Sequence, residues 1–146
     1  LGVRRQRQMC IRDSINGFLI NTGTLHYVEF SKSLHDNFFN KKVLELTSSK
    51  EFLKAPFNIN IVKKENDHIQ VRTFEKGVNR ETLSCGSGSI ASILAVFLAF
   101  KKKYSLVKAR GGNLNVDFHF NNKFFEKIRL ISKPTIINSG NLSIEV

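Results

Sequence analysis

Cysteine is scarce in this chain. Its two cysteines, Cys10 and Cys85, stand far apart with no dense spacing pattern, which excludes a disulfide framework and points to a reducing, cytoplasmic setting. Long apolar runs are absent as well. The longest, residues 90–100, is interrupted by Ser92 and falls short of the roughly 18 positions a membrane span needs, so a soluble protein is expected. No apolar segment with a small-residue cleavage site follows the early arginines, so the start does not read as a secretory signal. Acidic residues are few, 12 against 23 lysines and arginines, for a net charge of +11. That balance admits a nucleic-acid-binding module, but no RNA-recognition signature accompanies it. The thirteen phenylalanines are better explained as core.

What is present is the material for one ordinary domain, 146 residues with 41% apolar content. Four arginines in residues 1–14 supply part of the basicity. This opening shows neither helical nor strand periodicity, and the composition changes at Ile15. Residues 1–14 are therefore set aside as a non-native or disordered leader, and 15–146 are read as the folded unit. Of the lysines, only Lys101, Lys102 and Lys103 form a run, placed to complement the negative end of a helix dipole.

Strand-like segments follow from Phe18: FLINTG and HYVEF, with Gly23 and Thr24 breaking them. A short helix is expected over 33–39, with Ser33 as its start. Residues 58–63 and 68–75 alternate apolar and polar, predicting two antiparallel strands joined by a tight turn. IASILAVFLAF is apolar on all sides, and a helix of that composition must be buried all round. VKARGG, LNVDFHF, FFEKIRLIS and the tail NLSIEV read as hairpin strands. The expected class is α+β: a curved, mostly antiparallel sheet wrapped around one buried helix.

The helix opens with Cys85-Gly86-Ser87-Gly88-Ser89. N–H groups at a helix start lack intrahelical partners and the dipole adds positive potential, so anions bind there. The same field favours a thiolate over a thiol, and the glycines allow backbone to approach a ligand closely. A lone cysteine is also commonly a small buried hydrophobe. Flanking glycines and serines weigh toward the chemical reading, because a helix entry that needs no ligand is more often capped without two glycines.

These residues resemble the diaminopimelate epimerase family. RTFEKGVNRETLSCGSGSIAS, residues 72–92, is similar to the family's Tyr-Glu-Arg-Gly segment followed by Glu-Thr and Cys-Gly-Thr/Ser-Gly. NTGTLHYVEF resembles Gly-Asn/Ser-Pro-His-x-Val, residues 57–62 resemble Asn-Val-Asn-Phe-Val, and RGGNLNV resembles Pro-Gly-Gly-x-Leu. The four in order cover nearly all of 15–146.

The resemblance implies two similar halves, each a sheet curled around a central helix, with one cysteine from each half facing the substrate. One cysteine removes the α-proton and the other returns a proton from the opposite face, without pyridoxal cofactor or metal. It implies Cys85, Glu75 and His26 as the catalytic group, although proton transfer is not assigned to His26. Asn58, Glu75, Lys76, Gly86, Ser87 and Thr24 are implied as substrate-binding residues: Gly86 and Ser87 by N–H donation to the substrate carboxylate, Glu75 at the amino group and Asn58 at the distal end. Each has a plainer reading, with Glu75 a solvated carboxylate, Asn58 a turn residue and His26 structural.

The chain departs from the pattern at three places. Lys76 replaces an arginine and loses its bidentate fork, Thr24-Leu25 replaces a polar residue and proline, and Lys133 precedes Pro134 where Gly-Pro is expected. A second Cys-Gly motif is lacking, since Ile11 follows Cys10. The expected partners are therefore a small amino-acid substrate and a missing N-terminal half, with a homodimer open, and neither nucleic acid nor membrane. The surface around Asn58, Glu75 and Cys85 is expected to lie open, with exposed apolar neighbours. Proline or hydroxyproline racemases, phenazine-biosynthesis isomerases and a non-catalytic remnant remain alternatives.

Overall fold

The structure is a computed structural model that describes residues 17–144; the leader 1–14 and Cys10 lie outside the described residues. Strands β1 (Phe18–Asn21) and β2 (Leu25–Phe30) precede helices α1 (Asp36–Thr47) and α2 (Lys50–Lys54). Strands β3 (Asn58–Lys64), β4 (His68–Glu75) and β5 (Arg80–Thr82) lead into helix α3 (Gly86–Phe100). Strands β6 (Leu106–Ala109), β7 (Gly112–Phe120) and β8 (Phe125–Ser132) complete the order. All eight strands form one sheet, β1-β2-β3-β4-β6-β7-β8, with β5 paired to β4 off this path. The pairings β2·β3 and β4·β6 are parallel and the other five antiparallel, so the class is the expected α+β, mostly antiparallel.

Alternation divides strands β1 to β4 between two cores. On one face Ile20, Val28, Val62, Ile69, Val71, Val107, Val116 and Phe118 pack with Ala91 and Ile93 to Val96 of α3. Residues 91–96 are buried without a break, as an all-apolar helix requires. Phe97 meets Phe118 and Phe120 edge-on, each at 5.2 Å between ring centroids, which accounts for part of the phenylalanine content. The other face carries Leu19, Tyr27, Phe57, Ile59 and Ile61 under Phe39 and Leu46 of α1. Complete burial of Ile59 and Ile61 stabilises by about 1.5–3 kcal/mol each.

Three expectations need correction. The helix expected at 33–39 begins at Asp36 and runs to Thr47, because Ser31 and Ser33 are spent in turns: Ser31 Oγ bonds Ser33 N and O, and Ser33 Oγ accepts from His35 N. Residues 141–144 of the tail NLSIEV form no strand. The lysine run serves the helix end less than expected. Lys101 takes the left-handed conformation (φ 54°) and its N–H closes on Phe97 O, while Lys102 Nζ reaches Asn66 O and Lys103 Nζ reaches Asp117 and Phe118 O. Among the described residues no helix is long and apolar enough to cross a membrane.

Candidate active site at the start of the buried helix

Cys85 is the N-cap of α3, in an extended conformation (φ −129°, ψ 111°), and its Sγ accepts the Gly88 N–H at 3.4 Å. A sulfur thus occupies the place usually taken by a serine or aspartate oxygen. Its carbonyl receives Ser89 N–H and Ser89 Oγ–H, each at 2.9 Å, and Ser92 Oγ–H bonds Gly88 O. Ser89 and Ser92 are thereby satisfied by their own turn. Gly86 and Ser87 offer first-turn N–H groups with no intrahelical acceptor.

Both glycines make room for protein neighbours. A Cβ on Gly88 would strike the Asn60 side-chain oxygen, and one on Gly86 would lie 2.7 Å from a Leu130 methyl. In the chain as described, the space expected for a ligand is shared with these two side chains.

The strands deliver the rest. His26 on β2 has no exposed surface. Its Nε2 lies 3.0 Å from Ser87 Oγ and 3.1 Å from Thr24 Oγ1, and Ser87 Oγ lies 3.5 Å from Cys85 Sγ. On the other side of the ring, Nδ1 is 3.1 Å from Asn60 Nδ2. Burial lowers the His26 imidazole from 6.5 to about 4, and the charge of Lys76 acts in the same direction. The ring is therefore neutral near pH 7. Thr22 Oγ1 donates to Ser87 O at 3.2 Å, tying the β1–β2 turn to the helix start.

Asn58, Glu75 and Lys76 form an adjoining group. Asn58 pairs in register with His26 across β2·β3, and its Oδ1 accepts the Lys76 backbone N–H at 3.0 Å. Lys76 Nζ donates to Pro56 O at 2.9 Å, so this amine is held on a backbone carbonyl. Glu75 Oε1 accepts from Thr82 Oγ1 at 2.7 Å. Thr24, His26, Ser87 and Cys85 are thus joined directly, whereas Glu75 and Lys76 hold other partners at the end of β4.

The expected openness needs correction. Cys85 is 9% exposed and Asn58 6%, because the sulfur turns inward to cap α3 and the amide turns to Lys76. Exposed apolar neighbours do occur, Val78 at 49% and Leu83 at 67%. Sequence reasoning missed Asn60 and Thr73, which bond each other and hold His26 from behind. A signal existed: strand alternation places Asn60 on the same face as Asn58, and asparagine is depleted in strands. Among the described residues no three of His, Cys, Asp or Glu gather as a metal-holding group.

The sequence profile of the diaminopimelate epimerase family matches residues 18–129. Diaminopimelate epimerase from Methanocella arvoryzae is 36% identical over 68% of this chain and 36% of its own length. The enzyme of that name from Methanothrix thermoacetophila is 37% identical over 73% and 38%, and that from Aquifex aeolicus 32% over 92% and 48%. The chain spans less than half the length of these relatives. A solved member of the phenazine biosynthesis protein PhzF family from Enterococcus faecalis matches with a TM-score of 0.47, at 18% identity, over 64% of this chain and 33% of its own.

Proposed function

Since this chain belongs to the diaminopimelate epimerase family, we propose that it supplies one half of a cofactor-independent site interconverting LL- and meso-diaminopimelate. Cys85 is its acid or base on one face of the substrate. The observation that carries the reading is the placement of the Cys85 sulfur: N-cap of a buried helix, Gly88 N–H upon it, Ser87 hydroxyl beside it.

The chemistry follows from that placement. As thiolate, Cys85 takes the α-proton, and the electron pair left on the carbon delocalises into the substrate carboxylate. First-turn N–H groups of Gly86 and Ser87 stabilise the growing charge. A second cysteine, from an N-terminal half similar to that of the relatives, returns a proton to the opposite face. In the reverse direction the two exchange roles, as microscopic reversibility demands. Glu75 meets the substrate amino group, Asn58 and Lys76 its distal end, and Thr24 and His26 frame the Ser87 side. Lys76 offers one cation rather than a planar fork, so its grip on the distal carboxylate is looser than an arginine's.

The test combines the full chain with a separately produced N-terminal half of the Aquifex aeolicus relative and follows α-proton exchange from deuterated solvent. The mixture exchanges and epimerises, the chain alone does not epimerise, and Cys85→Ala lowers the mixture's rate by about 10²–10⁴-fold. Epimerisation by the chain alone above the buffer rate overturns the two-cysteine reading.

A further inference from the structure

Asn60 has no exposed surface and lies on β3 among Ile59, Ile61 and Val62, all fully buried. An amide left unpaired there costs about 1–3 kcal/mol, so its bonds define its orientation. Oδ1 accepts the Thr73 hydroxyl at 2.9 Å, and Nδ2 donates to the Tyr27 carbonyl at 3.0 Å. A backbone carbonyl can only accept, which requires the amide nitrogen on that side. The second hydrogen of Nδ2 then faces His26 Nδ1 at 3.1 Å.

A ring nitrogen that receives a hydrogen bond carries no hydrogen itself. In the neutral ring the hydrogen therefore sits on Nε2, toward Ser87 Oγ and Thr24 Oγ1. This matters for the sulfur. The Ser87 hydroxyl hydrogen has two acceptors within reach, Nε2 at 3.0 Å and Cys85 Sγ at 3.5 Å. A hydrogen on Nε2 removes the first, leaving the sulfur. In the opposite tautomer Nε2 would accept and turn the hydroxyl away from Cys85. The lack of a side chain at Gly88 lets the Asn60 amide press on the same helical turn.

Resting on the role proposed for Cys85, we infer that Asn60 is a positioning residue: by donating to Nδ1 it fixes the His26 tautomer and so directs the Ser87 hydroxyl to the Cys85 sulfur. Asn60 touches neither the sulfur nor the reacting atoms. It acts by selecting which way two hydrogens point, without adding charge beside the thiol.

Long-range proton–nitrogen NMR spectra of the nitrogen-labelled full chain read the tautomer directly. In the unaltered chain His26 Nδ1 resonates as a bare ring nitrogen and Nε2 as a protonated one. Asn60→Asp places an acceptor against Nδ1, and the hydrogen appears there. Thr73→Val, a milder change, loosens the amide and gives a mixture of both tautomers; it decides the matter if the aspartate variant does not fold. In the mixture with the N-terminal half, either variant slows α-proton exchange by about 10–100-fold with KM unchanged. A hydrogen on Nδ1 in the unaltered chain overturns the inference, and so do unchanged ring shifts in a folded variant. The spectra decide the tautomer whether or not the mixture turns over, and absence of turnover in the unaltered mixture counts against the two-cysteine reading alone.

Discussion

Arg72 and Thr73 are neighbours on β4, yet they serve two polar centres of opposite character. On the α1 face, Arg72 is 8% exposed and grips Glu81 with two bonds of 2.7 and 2.6 Å. It also reaches Leu34 O at 2.7 Å and Asp36 at 2.9 Å, stacks over Phe39, and shares Glu81 with Arg110. On the α3 face, Thr73 joins Asn60, His26 and Ser87 in a network of neutral groups. The ionic centre ties β5, α1 and the β6–β7 turn to the middle of the sheet. The neutral centre points hydrogens at a sulfur. Charges suit the first task, because strong two-pronged bonds hold separate elements together. They do not suit the second, since a nearby charge would itself shift the protonation of the groups it was meant to orient.

The contrast is open to test, and the largest effect belongs to the ionic side. Arg72→Ala leaves Glu81, 16% exposed at its side chain, without its buried partner and is expected to cost about 3–5 kcal/mol. A urea midpoint that moves by less than the equivalent of about 1 kcal/mol, as for a surface pair, would show that Arg72 holds nothing together. The double change Arg72→Met with Glu81→Leu should cost less than the single one, because no buried charge is stranded: Asp36 and Arg110, which also lose a partner, are exposed to solvent.

Next in size is the acid response of the neutral side. The folded His26 value of about 4 lies below the ordinary 6.5, chiefly through burial, so the unfolded chain binds the extra proton first. The stability contributed by a neutral His26 is full above pH 6.5 and declines as pH falls from 6.5 toward 4, a loss on the order of 3 kcal/mol. Denaturant unfolding from pH 7 to pH 4 measures it, and His26→Gln should flatten the slope across that window. An unchanged slope in the variant would mean that the neutral centre does not depend on an uncharged ring.

The smallest effect is an ionic cluster outside both cores. Arg129, and then Lys103, hold the Asp117 carboxyl down from 3.8 to about 2. Its contribution is present above pH 3.8 and is lost as pH falls through about 2. Carboxyl NMR titration should find the low midpoint, and added salt should raise it, because Asp117 is 41% exposed at its side chain and screened by ions. Insensitivity to salt would place this pair with the buried centre instead.

Much of this was legible beforehand. Alternation located β3 and β4 to within a residue, and apolar composition located α3 with its buried surroundings. The glycines and serines around Cys85 marked the helix start that gathers Ser87, His26 and Thr24. Less was visible where the deciding partner is distant in sequence. Helix α1 continues through Lys41 and Lys42 because its Phe39 and Leu46 pack on β3 and its neighbours, a tertiary gain that its marginal apolar pattern does not announce. Helix α2 has five residues, too few for periodicity, and β5 has three.

Residue order by itself determined which segments alternate, which helix has no polar face, and that a thiol stands between small residues at that helix's start. These are local properties, fixed by spacing and side-chain type. Only the tertiary structure decided that the Cys85 sulfur turns inward onto Gly88 and that Asn60 stands behind His26. It alone decided that adjacent residues of β4 feed an ionic clamp and a neutral relay. The physical reason is that a strand presents successive side chains to opposite faces, and what each face meets depends on chain brought in from far away.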